Sequence, residues 1–288
     1  MSYPFRHAIC NEVYQGWDFA DACRSIRAAG YAGIEIAPFT LAEDPAQIPA
    51  GQRTEYRRIM ASEGLEFAGL HWLMVAPKGL HVTTADGTLR ERSWRHIHDL
   101  VDLCADLGGR QSANGTAING IMVFGSPKQR ATTGGASRSE ATRRYVDGLA
   151  AVAPHAAQAG VTILVEALPS AECDVVNTLA EAEAIVHEIG SPAIQTMFDT
   201  HNAADETEPH QAVVEKHLPV IKHIHINEMD GRHPGTGTYD FKPVLAALAA
   251  GGYPGWISLE VFDFSLGAER IAGDSRRYIG EEIARLSP

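Results

Sequence analysis

The stretch Ile163–Glu172, ILVEALPSAE, runs through three apolar residues and then sets a carboxylate, Glu166, directly against them. Ile257–Val261, ISLEV, sets Glu260 between Leu259 and Val261 in a near-continuous apolar run. A strand with one wet face alternates polar and apolar residues. An unbroken apolar run marks a strand covered on both faces, as in parallel sheets flanked by helices. Outward from 163–172, the same unit recurs along the chain. Strands are predicted at Arg6–Cys10, Gly33–Ala37, Glu66–His71, Gly120–Phe124, Thr162–Ala167, Ile194–Asp199, Ile221–Asn227 and Trp256–Val261.

Helical patterns separate them. WDFADACRSIRAAG (17–30) has apolar residues at helical spacing and a glycine stop. ERSWRHIHDLVDLCADLGG (91–109) and SRSEATRRYVDGLAAVAPHAAQAG (137–160) behave alike, with Ser139 as a candidate cap for the latter. A last helix begins near Ser265. Repeated strand–helix alternation implies parallel strands with right-handed crossovers. Eight such units in 288 residues fit an α/β fold of the closed (β/α)8 TIM-barrel type. A doubly wound open sheet is the alternative, but no G-x-G-x-x-G follows an early strand. No linker or composition break divides the chain, so one domain over residues 1–288 is expected. Ser126–Gly135 reads as a polar loop after the fourth strand, and Arg110–Ala117 as a surface excursion before it.

The bulk numbers narrow the function classes. Hydrophobic residues make up 45% and charged residues 21%, an ordinary globular mix. A net charge of −12 opposes binding to a phosphate backbone. Cys10, Cys23, Cys104 and Cys173 form no C-x-x-C pair and read as buried thiols in a reducing compartment. MSYPFRHAICNEVY lacks a signal-peptide core, and no apolar run approaches membrane-spanning length. A cytoplasmic protein with no membrane and no nucleic-acid partner is expected.

Barrel chemistry sits at the carboxyl ends of the strands. The fifth strand ends at Glu166, the sixth at Asp199 and His201, the seventh at His223, His225 and Glu228, the eighth at Glu260. Any one of these acids could cap a helix, and a strand histidine can be a satisfied core side chain. Four consecutive strand ends carrying Glu, Asp, His and Glu are another matter. Unpaired carboxylates buried in apolar segments would each cost several kcal/mol, and one divalent cation removes that cost for all of them. Side chains repeat every two residues on a strand, so His223, His225 and Asn227 share a face. His225 is nearer the rim and becomes the ligand, with His223 deeper, in support.

These residues resemble a known family, the xylose-isomerase-like sugar isomerase/epimerase superfamily. The likeness is greatest to ketose 3-epimerases of the D-tagatose/D-psicose type. LVEALPSAECDVVNT is similar to that family's ligand motif with a second glutamate six residues on, here Glu172. FDTHN resembles its aspartate motif, HIHINEMDGRHPGTG its histidine motif, and GWISLEVF its final glutamate strand. The chain departs from the pattern at Pro169-Ser170, at the spacing of His201, and at GLHWLMVAPKGL, all on the substrate side.

The resemblance implies metal ligation by Glu166, Asp199, His225 and Glu260, with Glu166 and Glu260 also serving as the catalytic acid/base pair. Three carboxylates and an imidazole favour Mn²⁺ or Mg²⁺, with Co²⁺ usable, over a thiolate-loving zinc. The ion would stabilise an enediolate while carbon 3 of a 2-ketose is inverted. Glu172, His201 and Arg232 would hold the sugar oxygens, and His71 and Trp72, at the end of the third strand, would line the pocket, with a core position for Trp72 as the alternative. Lys78 and Arg130 read better as exposed loop cations than as grips on a carboxylate or phosphate. The glycines of PGTGTYDF suit close backbone approach, a weak signal for phosphate. The substrate is then a small-molecule sugar or sugar derivative, and homodimers or homotetramers are common among such proteins. Alternatives on the same metal site are an aldose–ketose isomerase or a keto-sugar or sugar-acid lyase (dehydratase, decarboxylase). More distant are an apurinic-endonuclease-like nuclease, which needs a basic groove, and a non-catalytic binding barrel.

Overall fold

The computed structural model describes residues 5–108 and 120–286, so the loop expected at Arg110–Ala117 lies outside the described residues. Eight strands follow in order: β1 (Arg6–Cys10), β2 (Gly33–Ile36), β3 (Glu66–Leu70), β4 (Ile121–Phe124), β5 (Thr162–Val165), β6 (Ile194–Asp199), β7 (Ile221–Ile226) and β8 (Trp256–Leu259). Each pairs in parallel with the next and β8 pairs with β1, closing the barrel. The helices among the described residues are α1 (Phe19–Ala28), α2 (Ala50–Ser62), α3 (Gly87–Gly108), α4 (Pro127–Arg130), α5 (Arg138–Ala159), α6 (Leu179–Ile189), α7 (His210–His217), α8 (Lys242–Ala250) and α9 (Ala268–Ala284).

Local chemistry explains several boundaries. Asp18 caps α1, its carboxylate accepting from the amides of Ala20 and Asp21 at 2.9 and 3.3 Å. The cap of α5 is Ser137, not Ser139 as the sequence suggested. Ser137 Oγ accepts from Glu140 N while the Glu140 carboxylate takes Ser137 N at 2.8 Å. Ser137 and Glu140 have the S-x-x-E spacing that allows this reciprocal exchange. The polar loop after β4 contains the short helix α4, and the last helix starts at Ala268.

Five strands stop one or two residues before their sequence-based limits at Ala37, His71, Ala167, Asn227 and Val261. The backbone leaves the ladder there to turn over the barrel mouth. Glu166 and Glu260 therefore each stand one residue beyond the last paired residue, Val165 and Leu259. On β7 the two faces separate as the period-2 pattern requires. Ile224 and Ile226 pack with Val213 and Val214 of α7 and Val244 and Leu245 of α8. His223 and His225 are fully buried on the inner face. Registers pair Asp199 with His225, and His225 with Ser258, which sets neighbouring strand ends level at the rim. The four cysteines are free and buried. No helix among the described residues is long and apolar enough to cross a membrane.

Candidate metal centre

One ligand atom each from Glu166, Asp199, His225 and Glu260 lies within 4.8 Å of the others, and all four residues are buried. They come from four adjacent strand ends, β5 to β8. His225 Nδ1 is 3.0 Å from Glu260 Oε2 and 3.7 Å from Asp199 Oδ2. Asn202 Nδ2 bridges two of the acids, donating to Glu166 Oε1 at 2.9 Å and Asp199 Oδ2 at 3.0 Å. Asp199 Oδ1 accepts the amide of His201 at 2.7 Å.

The electrostatics follow from this crowding. Burial, then the nearby carboxylates of Glu260 and Asp199, push the Glu166 carboxyl up to about 8. Glu260 is also raised, by burial, against the pull of His225. Asp199 goes the other way: burial opposes ionisation, but the His225 ring outweighs it and lowers the carboxyl. On His225 itself burial disfavours charge, yet Glu35 and Glu260 hold the ring well above the usual histidine range.

Glu35 is the centre of a further layer beneath the acids. It is buried, and although burial would raise its carboxyl, His223 and His225 hold it well below the usual carboxylate range. Its Oε2 is 2.8 Å from His223 Nε2 and its Oε1 is 3.0 Å from His225 Nε2. An ionised carboxylate only accepts, so Nε2 of His225 carries the proton and Nδ1 is left facing Glu260 and Asp199. That Nδ1, although 3.0 Å from Glu260 Oε2, makes no well-aligned hydrogen bond. Three converging carboxylates and an unsatisfied buried nitrogen fit a hard divalent cation, which would satisfy all four groups at once.

Above the ligands is a narrow cavity of about 30 Å³ lined by His71, Trp72, Ser126, Glu172, Asn202 and Phe262, together with Glu166 and Glu260. Trp72 and Phe262 meet edge to face over it, with ring centroids 6.1 Å apart. The space has room for about one or two waters. His71 Nε2 is fixed by Glu12 Oε2 at 2.7 Å. A much larger cavity, about 890 Å³, opens among Arg6, Phe67, Ile121, Tyr253 and Trp256. It lies at the amino ends of the strands, away from the acid cluster, so its size does not bear on the chemistry.

The structure thus draws together Glu166, Asp199, His225 and Glu260, and sets His71, Trp72 and Glu172 on the cavity wall. His201 stands beside the wall, with Nε2 3.8 Å from Glu172 Oε1 and its ring 5.0 Å from that of Phe262. Arg232 is not brought in: its guanidinium is bound to Asp230 at 2.7 Å, and its side chain is 43% exposed. His223 supports the site through Glu35 and does not touch the acid cluster directly. Lys78 is exposed.

Arg130 is not an exposed loop cation. It is fully buried, with Nη1 donating to the carbonyls of Phe124 and Glu166 at 2.8 Å each. These carbonyls leave the ladder at the mouth and need a donor. The glycines of PGTGTYDF serve Glu228, not a phosphate. Gly235 N and Tyr239 N donate to its carboxylate at 2.9 and 3.0 Å, and a Cβ on Gly237 would sit 2.4 Å from Glu228 Oε2. Glu35, Asn202, Glu12 and Ser126 were not singled out from the sequence. Glu35 did carry a signal, an acid inside the apolar run GIEIA.

Comparison with known proteins places the chain in a family. Residues 23–285 match the family described as Xylose isomerase-like TIM barrel. The chain is 30% identical over 249 residues to an L-ribulose 3-epimerase of Mesorhizobium japonicum, covering 86% of this chain and 78% of that protein. It is 25% identical over 270 residues to a ketose 3-epimerase of Arthrobacter globiformis, covering 93% and 86%. In fold it resembles a D-psicose 3-epimerase of Clostridium cellulolyticum H10 solved with D-tagatose, with a TM-score of 0.82 at 17% identity over 99% of this chain and 100% of the other. The closed parallel barrel and the extent of these matches establish that the chain belongs to the xylose isomerase-like TIM barrel family.

Proposed function

We propose that this protein is a divalent-metal-dependent sugar epimerase that inverts carbon 3 of a 2-ketose. Its relatives include ketose and L-ribulose 3-epimerases, which match over most of the chain, beside shorter matches to a 4-epimerase, a dehydratase and isomerases. The observation that carries the reading is the convergence of Glu166 and Glu260 from β5 and β8 on one cation-competent cluster, both with raised carboxyl pKa values.

Glu166, Asp199, His225 and Glu260 would hold Mn²⁺ or Mg²⁺, with Co²⁺ able to substitute. When bound, the ion would polarise the ketone and stabilise the negative charge that develops as carbon 3 loses its proton. The chain supplies the rest. Inversion needs a base on one face of carbon 3 and an acid on the other. Glu166 and Glu260 take these roles and exchange them in the reverse direction. Asn202 holds Glu166 by its Oε1, leaving Oε2 on the Gly125 side. Trp72 and Phe262 close over the reacting carbons and keep water out. Glu172 and His201 are placed to bind sugar hydroxyls.

The test is solvent exchange. Wild-type protein with Mn²⁺ is given a panel of ketoses in D₂O and the products are read by NMR. The expected product keeps the 2-keto group, is inverted at carbon 3 and carries deuterium there. Aldose formation or loss of a C–O or C–C bond would replace this reading with an isomerase or lyase. Glu260→Gln should lower turnover about 10²–10⁴-fold with unchanged circular dichroism. Exchange at the wild-type rate in that variant would remove Glu260 from the acid/base role.

A further inference from the structure

We propose that Ser126 is a substrate-binding residue whose side-chain hydroxyl hydrogen-bonds a hydroxyl of the bound ketose; this rests on the ketose reading above. Ser126 follows Gly125 at the end of β4, and three independent features of it are otherwise unexplained.

The first is backbone strain. Ser126 has φ 48° and ψ 60°, in the left-handed region. A residue with a Cβ is disfavoured there, and glycine is the low-cost choice. The following residue, Pro127, restricts position 126 further. The second is an unmet polar group. Ser126 is 3% exposed and its Oγ has no hydrogen-bond partner. Buried hydroxyls nearly always have one, because leaving water without a replacement bond costs free energy. The third is position. Ser126 lines the cavity above the candidate metal centre, together with His71, Glu166, Glu172 and Glu260.

The strained conformation is held from several sides. Ser126 O accepts from Gln129 N at 3.1 Å, and Pro127 O accepts from Ala131 N at 3.0 Å. Gln129 O accepts from Val82 N at 2.8 Å. Arg130 ties the far end of the turn to the carbonyls of Phe124 and Glu166. Strain over-determined in this way at the wall of a cavity points to a residue kept for what its side chain meets. A hydroxyl both donates and accepts, and the carboxylates of Glu166, Glu172 and Glu260 share the same wall, so the complementary group is a neutral sugar hydroxyl.

The experiment pairs side-chain deletion with substrate-atom deletion. Wild type, Ser126→Ala and Ser126→Gly are assayed with Mn²⁺ on the ketohexose that the wild type epimerises fastest, and on its 4-, 5- and 6-deoxy analogues. Both variants should lose about 5–30-fold in kcat/KM on the full sugar. On one deoxy analogue the wild type should fall by a similar factor and the variants should show no further loss. Ser126→Gly, which suits the left-handed backbone, should melt at or above the wild-type temperature, separating the hydroxyl's role from folding. The proposal is overturned if both variants stay within about twofold of wild type on every sugar, or if they lose equally on all the analogues, as a purely structural residue would. A wild type that epimerises no ketose overturns the functional reading and this assignment with it, whereas an active wild type matched by its variants overturns this assignment alone.

Discussion

Glu35 Oε1 lies 3.0 Å from His225 Nε2, although the two residues are 190 positions apart in the chain. The contact runs from β2 to β7 through the barrel interior and decides which imidazole nitrogen faces the acid cluster. Glu35→Gln removes the charge that holds the proton on Nε2. The variant should fold and bind Mn²⁺ about 10–100-fold more weakly. Calorimetric titration of metal-free protein measures this, and an unchanged dissociation constant would refute the role given to Glu35.

Asn202 is the donor shared by Glu166 and Asp199. Asn202→Ala leaves two buried carboxylate oxygens without it. In chelator, the urea midpoint should fall by the equivalent of about 1–3 kcal/mol. Turnover in Mn²⁺ should fall as well, because Glu166 loses its fixed orientation. If the variant unfolds together with wild type, the bridge contributes nothing.

Gly125 leaves no room for a side chain. A Cβ there would stand 2.1 Å from Glu166 Oε2 and 3.2 Å from its Cδ. Gly125→Ala must therefore displace the Glu166 carboxylate. A shift of about 1 Å at a reacting group is worth roughly 10²-fold in rate, and that loss is expected in kcat with native circular dichroism. Wild-type kcat in this variant would mean that Glu166 is free to move without consequence.

The pH dependence of metal stabilisation has a definite sign. Glu166 is raised to about 8 in the folded, metal-free protein, and Glu260 and His225 are raised too. Groups raised on folding stabilise the native state below their unfolded pKa, and that contribution is lost as pH rises through the folded value. Asp199 is lowered, so its contribution is lost only in acid, below this window. The stabilisation that Glu166, Glu260 and His225 give the metal-free protein should thus be lost between about pH 5 and 8, while histidines lowered by burial, such as His7 and His223, act in the opposite sense toward the acid end and are common to both forms. A cation replaces the retained protons, so the gain in melting temperature on adding Mn²⁺ should grow across the same range. A gain that stays flat or shrinks with pH would contradict the placement of the ion among these groups.

The acid-in-apolar-run rule that identified Glu166 and Glu260 applies equally to Glu35 between Ile34 and Ile36, and extending it to β2 would have found the support beneath His225. Asn202 closes the FDTHN motif, but that string does not say what its amide meets. Only the turn after β6 aims that amide at Glu166. Arg130 misled for a physical reason. A cation in SPKQRATTGG looks solvated until the barrel mouth is seen to leave the carbonyls of Phe124 and Glu166 needing a donor.

By itself, the sequence determined the alternation of strands and helices, the closed eight-unit architecture, and the identity of the four groups at the ends of β5 to β8. These are written locally, in runs of apolar residues and in single charges set against them. Tertiary structure alone decided which nitrogen of His225 is presented, which carboxylates repel one another, and which hydroxyl is left without a partner. Those properties depend on distances of about 3 Å between residues far apart in the chain, and only closure of the barrel sets such distances.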